Sequence, residues 1–193
     1  MQKSNETLKH EHKQILKLLH TWDIANIELA LMLAKGQKID IKAELKNMLN
    51  KFSFLTFPKG SFAKKVSWLM DNELLYLNKY QLTKLPTEIG NLVALNGLGL
   101  SDNQLTKLPA EIGNLVALEA LNLSGNQLTQ LPIEIGNLVA LKWLHLDKNQ
   151  LTQLPDEIGN LTALKLLYLS GNNIPKKEQH RIKLLLPNCE IFF

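Results

Sequence analysis

The chain has 193 residues, of which 45% are apolar and 6% aromatic, and a net charge of +4. That composition supports a packed core and excludes a disordered polymer, and no uncharged run reaches the ~18 residues a membrane helix needs. The charge is spread out: residues 1–58 hold nine Lys against six acids, and residues 59–193 hold thirteen basic against twelve acidic side chains. With no basic block in view, nucleic acid is not an expected partner. The first twenty residues carry Lys, His and Glu throughout and lack the apolar segment of a secretion signal. The one cysteine, Cys189, leaves no internal disulfide to form. Together these features point to a reducing, cytoplasmic compartment.

Residues 1–58 read as an amino-terminal cap of about three helices. Leu8, Ile15, Leu19 and Trp22 fall on one helical face. A second helix begins at Asp23, a residue suited to capping, and stops at Lys35-Gly36, a cationic last turn followed by glycine. Its stretch from Ile27 to Ala34 is apolar nearly all round, so it needs a surface to pack on. A third helix follows Asp40, with Ile41, Leu45, Met48 and Phe52 on one stripe. His10, His12 and His20 do not have the i, i+4 spacing of a helical ligand pair, so they predict no metal site.

From Leu82 onward the texture changes. One 23-residue unit is written four times, starting at Leu82, Leu105, Leu128 and Leu151 and reading L-T-[KQ]-L-P-x-E-I-G-N-L-x-A-L-x-x-L-x-L-x-x-N. Subtracting one period exposes a degraded unit over residues 59–81, where Phe62, Val66, Leu69, Leu75 and Leu77 occupy the leucine and isoleucine slots. Ala63 replaces its proline, and Tyr80 stands in for the terminal asparagine. Residues 82–173 are the regular units, and residues 174–193 read as a closing helix over Lys176–Leu186 and a strand. There Leu186-x-x-Cys189-x-Ile191 repeats the leucine spacing one residue short, placing Cys189 in a buried leucine slot. A fixed period of this length predicts a solenoid, since one unit cannot cover its own leucines and must bury them against its neighbours.

These motifs resemble the leucine-rich repeat family, in the variant with L-P-x-E-I-G-N-L on the outer face that occurs in Ras-suppressor-like and many bacterial proteins. The resemblance implies an α/β solenoid: a horseshoe with a parallel concave β-sheet, closed at each end by a cap. It also implies a non-enzymatic scaffold that binds a protein or peptide.

Within each unit the constant positions read as scaffold. Asn103, Asn126, Asn149 and Asn172 stand where the chain leaves its strand, and a carboxamide there can bond backbone groups that no sheet partner reaches, predicting a buried ladder. Pro86, Pro109, Pro132 and Pro155 fix extended runs, and Asn91, Asn114, Asn137 and Asn160 shape the convex turn. The Glu88, Glu111, Glu134, Glu157 column reads as a solvated row of like charges, without further ligands for a cation.

The variable positions carry selectivity. Strand alternation sends Leu74, Tyr76 and Asn78 outward from one unit and Gly97, Gly99 and Ser101 from the next. Ala120, Asn122 and Ser124 follow, then Trp143, His145 and Asp147, then Leu166, Tyr168 and Ser170. Two rows of small residues thus lie between Tyr76 and the cluster of Trp143, His145, Leu166 and Tyr168, predicting a shallow groove with aromatic walls. Trp143 and Tyr168 are the expected anchors, with Asn122, Asp147, Lys142 and Lys165 supplying polarity. His145 and Asp147 share a strand with no nucleophile beside them, so catalysis is not expected, and no cofactor is called for. A monomer is favoured over a self-associating structural protein, the alternative function.

Overall fold

The computed structural model describes residues 73–193, and the helices expected over residues 1–58 and the start of the degraded unit, residues 59–72, lie outside the described residues. Six three-residue strands form one open parallel sheet in chain order: β1 Leu74–Tyr76, β2 Gly97–Gly99, β3 Ala120–Asn122, β4 Trp143–His145, β5 Leu166–Tyr168 and β6 Glu190–Phe192. Leu75, Leu98, Leu121, Leu144 and Leu167 are aligned at the centre of successive strands. All five are buried, and their neighbours on each strand point the other way. The described residues therefore form a solenoid whose leucines share one continuous interior.

On the opposite side, each unit makes a five-residue 3-10 helix: Thr87–Asn91, Ala110–Asn114, Ile133–Asn137 and Asp156–Asn160. The preceding proline, at φ −69 in the first unit, is preset for this entry, and its carbonyl accepts the Ile89 N–H at 3.1 Å. The Ile89 carbonyl then accepts the Leu92 N–H, and the chain turns back toward the sheet.

Glycine in the I-G-N triplet answers a close approach. A methyl group on Gly113 would stand 2.5 Å from the Glu134 carbonyl oxygen and 2.7 Å from the Glu134 Cβ. Gly90 and Gly136 face the next unit in the same way, whereas Gly159 faces Leu185 at an ordinary 3.5 Å. The glutamate column covers this glycine column, and its members are half-buried, not solvated as the sequence suggests.

Each repeated asparagine ties two units together. Asn126 Oδ1 accepts the Leu105 N–H at 3.0 Å, while its Nδ2 donates to the carbonyls of Leu100 at 2.9 Å and Leu123 at 3.0 Å. Asn103, Asn149 and Asn172 repeat the pattern. Asn103, Asn126 and Asn149 are buried. Asn172 is only half-buried, because no regular unit follows to cover it. One residue before these asparagines the backbone is left-handed, with φ +65 at Gly125 and +75 at Gly171, and the same conformation is held by Asp102 and Lys148 at +54.

Helix α1, Lys176–Leu185, follows the fourth unit and buries Ile182. Glu178 and Arg181 together meet the open backbone of Leu154: Glu178 Oε1 accepts its N–H at 3.1 Å, and Arg181 donates to its carbonyl and to Asp156. The strand after the helix corrects the sequence reading. Ile191 pairs with Leu167 and Phe192 with Tyr168, so the offset is 24 residues, one longer than the period and not one shorter. Cys189 therefore misses the leucine slot and is half-buried. Burial still raises its thiol to about 11, so it is a poor nucleophile at neutral pH.

Candidate functional site

The outward side chains form two columns across the strands. One runs Leu74, Gly97, Ala120, Trp143, Leu166, Glu190, and the other runs Tyr76, Gly99, Asn122, His145, Tyr168, Phe192. The sheet thus sets Trp143, His145, Leu166 and Tyr168 side by side, with Tyr76 at the far end. Asp147 lies just beyond β4 on the same face, and Lys142 and Lys165 lie just before β4 and β5.

Glycine at positions 97 and 99 does more than leave space. A methyl group on Gly97 would sit 2.6 Å from Leu74 Cδ2, and one on Gly99 would sit 2.9 Å from Tyr76 Cδ1. The side chains of Leu74 and Tyr76 therefore lean over β2 and bury both glycines, while remaining 52% and 64% exposed themselves. The floor expected to be two rows wide is reduced to about one, that of Ala120 and Asn122. Above it lies a groove of about 390 Å³, walled by Leu74 and Tyr76 on one side and by Trp143 and His145 on the other.

The second column ends in a stack that includes a residue the sequence reading leaves out. The His145 and Tyr168 rings are 4.4 Å apart at 10°, and the Tyr168 and Phe192 rings are 4.7 Å apart at 7°. Phe192 joins only because the last strand is out of phase; in the regular 23-residue register it would take the slot of Leu169 and face inward. Both faces of Tyr168 are covered, so its ring edge and hydroxyl are what it offers a partner. Trp143 has no ring stacked on it among the described residues and is 37% exposed.

Polar groups line the margin. Lys142 pairs with Glu119 at 2.7 Å, and its Nζ lies 6.0 Å from the Trp143 ring, at the limit of a cation–π contact. Asn122 Oδ1 accepts the Ser124 N–H at 3.0 Å and its hydroxyl at 2.6 Å, which leaves the Asn122 Nδ2 directed to donate elsewhere. Among the described residues there is no group of three or more His, Cys, Asp or Glu placed to hold a metal, and no helix long and apolar enough to cross a membrane.

An open parallel sheet backed by stacked 3-10 turns, with asparagines tying unit to unit, defines a leucine-rich repeat solenoid. The family described as a leucine-rich repeat region matches residues 72–185, more than half of the chain. The chain belongs to the leucine-rich repeat family. Among solved structures, a leucine-rich repeat protein of Leptospira interrogans is 47% identical, with a TM-score of 0.65, over 72% of this chain and 34% of its own. An internalin of Listeria monocytogenes is 28% identical, with a TM-score of 0.53, over 62% of this chain and 33% of its own. The chain spans about a third of the length of each. Comparison with curated proteins finds no match.

Proposed function

We propose that this chain is a non-enzymatic scaffold that binds a protein or peptide on its concave sheet. The observation that carries this is the asymmetry of that face. Identical scaffold positions repeat from unit to unit, yet the outward positions change from glycine and alanine to Trp143, His145 and Tyr168 within two strands. Aromatic side chains on a preformed sheet lose little freedom on binding, and such groups dominate interface energies. Trp143 supplies an accessible ring, and the His145–Tyr168–Phe192 stack supplies a rigid edge. Leu166 and Tyr76 extend the apolar area, while Asn122, Asp147, Lys142 and Lys165 orient the partner. We place the protein in a reducing bacterial cytoplasm on the strength of the single cysteine and the bacterial neighbours, and read it as a monomer.

The test compares wild type with a Trp143→Ala/Tyr168→Ala variant in a pull-down from the source organism's lysate, after confirming that their melting curves match. A partner held by wild type should be lost by the variant, by about a hundredfold in affinity if both residues are anchors worth ~1–2 kcal/mol each. Retention of the partner by both proteins moves the site off the concave face.

A further inference from the structure

The margin of the groove is electrically polarised. The residues just before β1 to β5 are, in order, Glu73, Asn96, Glu119, Lys142 and Lys165. Asn96 Nδ2 donates to Glu73 at 3.2 Å, and Lys142 neutralises Glu119 at 2.7 Å. Among the described residues, the charges of this row without an ion-pair partner stand at its two ends. At one end the exposed Glu73 carboxylate meets, among the described residues, only a neutral amide. At the other, the exposed Lys165 ammonium forms no ion pair among the described residues, although Glu190 lies one strand on.

Ala120 lies midway between these charges, two strands from each, or about 10 Å at ~4.8 Å per strand. It is also the short tooth of its column. Leu74 leans over Gly97 on one side, Trp143 stands on the other, and the gap between them is about one side chain wide. An extended chain advances ~3.3 Å per residue, so ~10 Å is about three residues.

We infer that the partner is an extended peptide segment crossing the strands, with one large apolar side chain seated over Ala120, a basic residue about three positions to one side at Glu73, and an acidic residue about three positions to the other at Lys165. The inference rests on the concave-face reading and adds the partner's chemistry and direction. The apolar side chain supplies the affinity, since it leaves water for a groove with apolar walls. The Asn122 Nδ2 is placed to donate to a backbone carbonyl of the segment. Exposed charges add little binding energy, but a pair of opposite sign penalises the reversed chain, so the margin selects direction.

The test pans a random-peptide phage library against three proteins: the wild-type chain, a Glu73→Lys/Lys165→Glu exchange, and Ala120→Gln. Both exchanged residues are exposed, and matching melting curves qualify each variant. Wild type should enrich peptides with a large apolar centre and a basic and an acidic flank in one fixed order. The exchange should enrich the opposite order and bind wild-type-selected peptides about tenfold more weakly. Ala120→Gln should lose the apolar centre. The same order from wild type and exchange, peptides indifferent to Ala120→Gln, or no enrichment at all would each overturn the inference. Peptides lost on Trp143→Ala/Tyr168→Ala but carrying no charge order would remove it while leaving the concave-face reading intact.

Discussion

A single carboxamide does the work of several backbone partners in this protein. Replacing Asn126 with Leu keeps the branched shape but strands the Leu105 N–H inside the solenoid and removes one of two carboxamide donors from the carbonyls of Leu100 and Leu123, which keep Asn103 and Asn149. At ~1–3 kcal/mol for the stranded N–H and ~0.5–1.5 for each of the two hydrogen bonds lost, the loss should be about 2–6 kcal/mol in urea unfolding. Asn172→Leu should cost less, because Asn172 is half-buried and water can reach the same groups. An equal loss at both sites would show that burial is not what sets the cost. The role of these asparagines was legible in the sequence because one polar residue recurs among leucines at a fixed phase. The lean of Leu74 and Tyr76 was not legible, since alternation gives the face of a side chain but not its tilt along the column. That tilt, rather than the glycines alone, sets the width of the groove.

The 3-10 turns and the terminal helix each make a testable prediction. Gly113→Ala must push its own backbone away from the Glu134 carbonyl oxygen, 2.5 Å from the added methyl, and should destabilise by about 1–3 kcal/mol. Gly159→Ala meets only Leu185 at 3.5 Å and should be neutral within about 0.5 kcal/mol, so the pair separates close approach from any general need for glycine. At α1, the hydrogen bond from Arg181 is the main influence holding Glu178 below its ordinary value near 4.5, against the opposing effect of burial. A carboxylate depressed in the folded state stabilises it above its unfolded value and stops doing so as the pH falls through the folded one. Thermal melts should therefore fall on acidification below the ordinary glutamate range, and Glu178→Gln should be less stable at neutral pH but flatter across that acid window. A variant as steep as wild type would assign the acid loss elsewhere. The positions of the turns follow from the prolines, and the helix start from Pro175, all readable in advance. The phase of β6 was not, because Leu186, Cys189 and Ile191 fit the leucine spacing in a register that the helix before them does not allow.

Stacked units with a common backbone should tolerate loss of a whole one. Deleting residues 105–127 joins Gln104 to Leu128, which takes the place of Leu105. The shortened chain should remain folded by circular dichroism and melt cooperatively at a lower temperature, having lost one set of neighbour contacts. It should also lose the groove, since Ala120 and Asn122 go with the unit, so folding and recognition separate in one variant. A chain that fails to fold would show that the units are not interchangeable.

The out-of-phase last strand also divides the gene into two kinds of territory. Recombination between any two of the four regular units adds or removes a rung while leaving each remaining codon with its old task, so the array can lengthen or shorten by common copying errors. Past Asn173 that freedom ends. An insertion or loss of one codon before β6 would turn Phe192 inward and Ile191 outward, exchanging an outward-facing residue for an interior one. Array length is thus open to drift, while the spacer that sets the final rung is held by the face it presents.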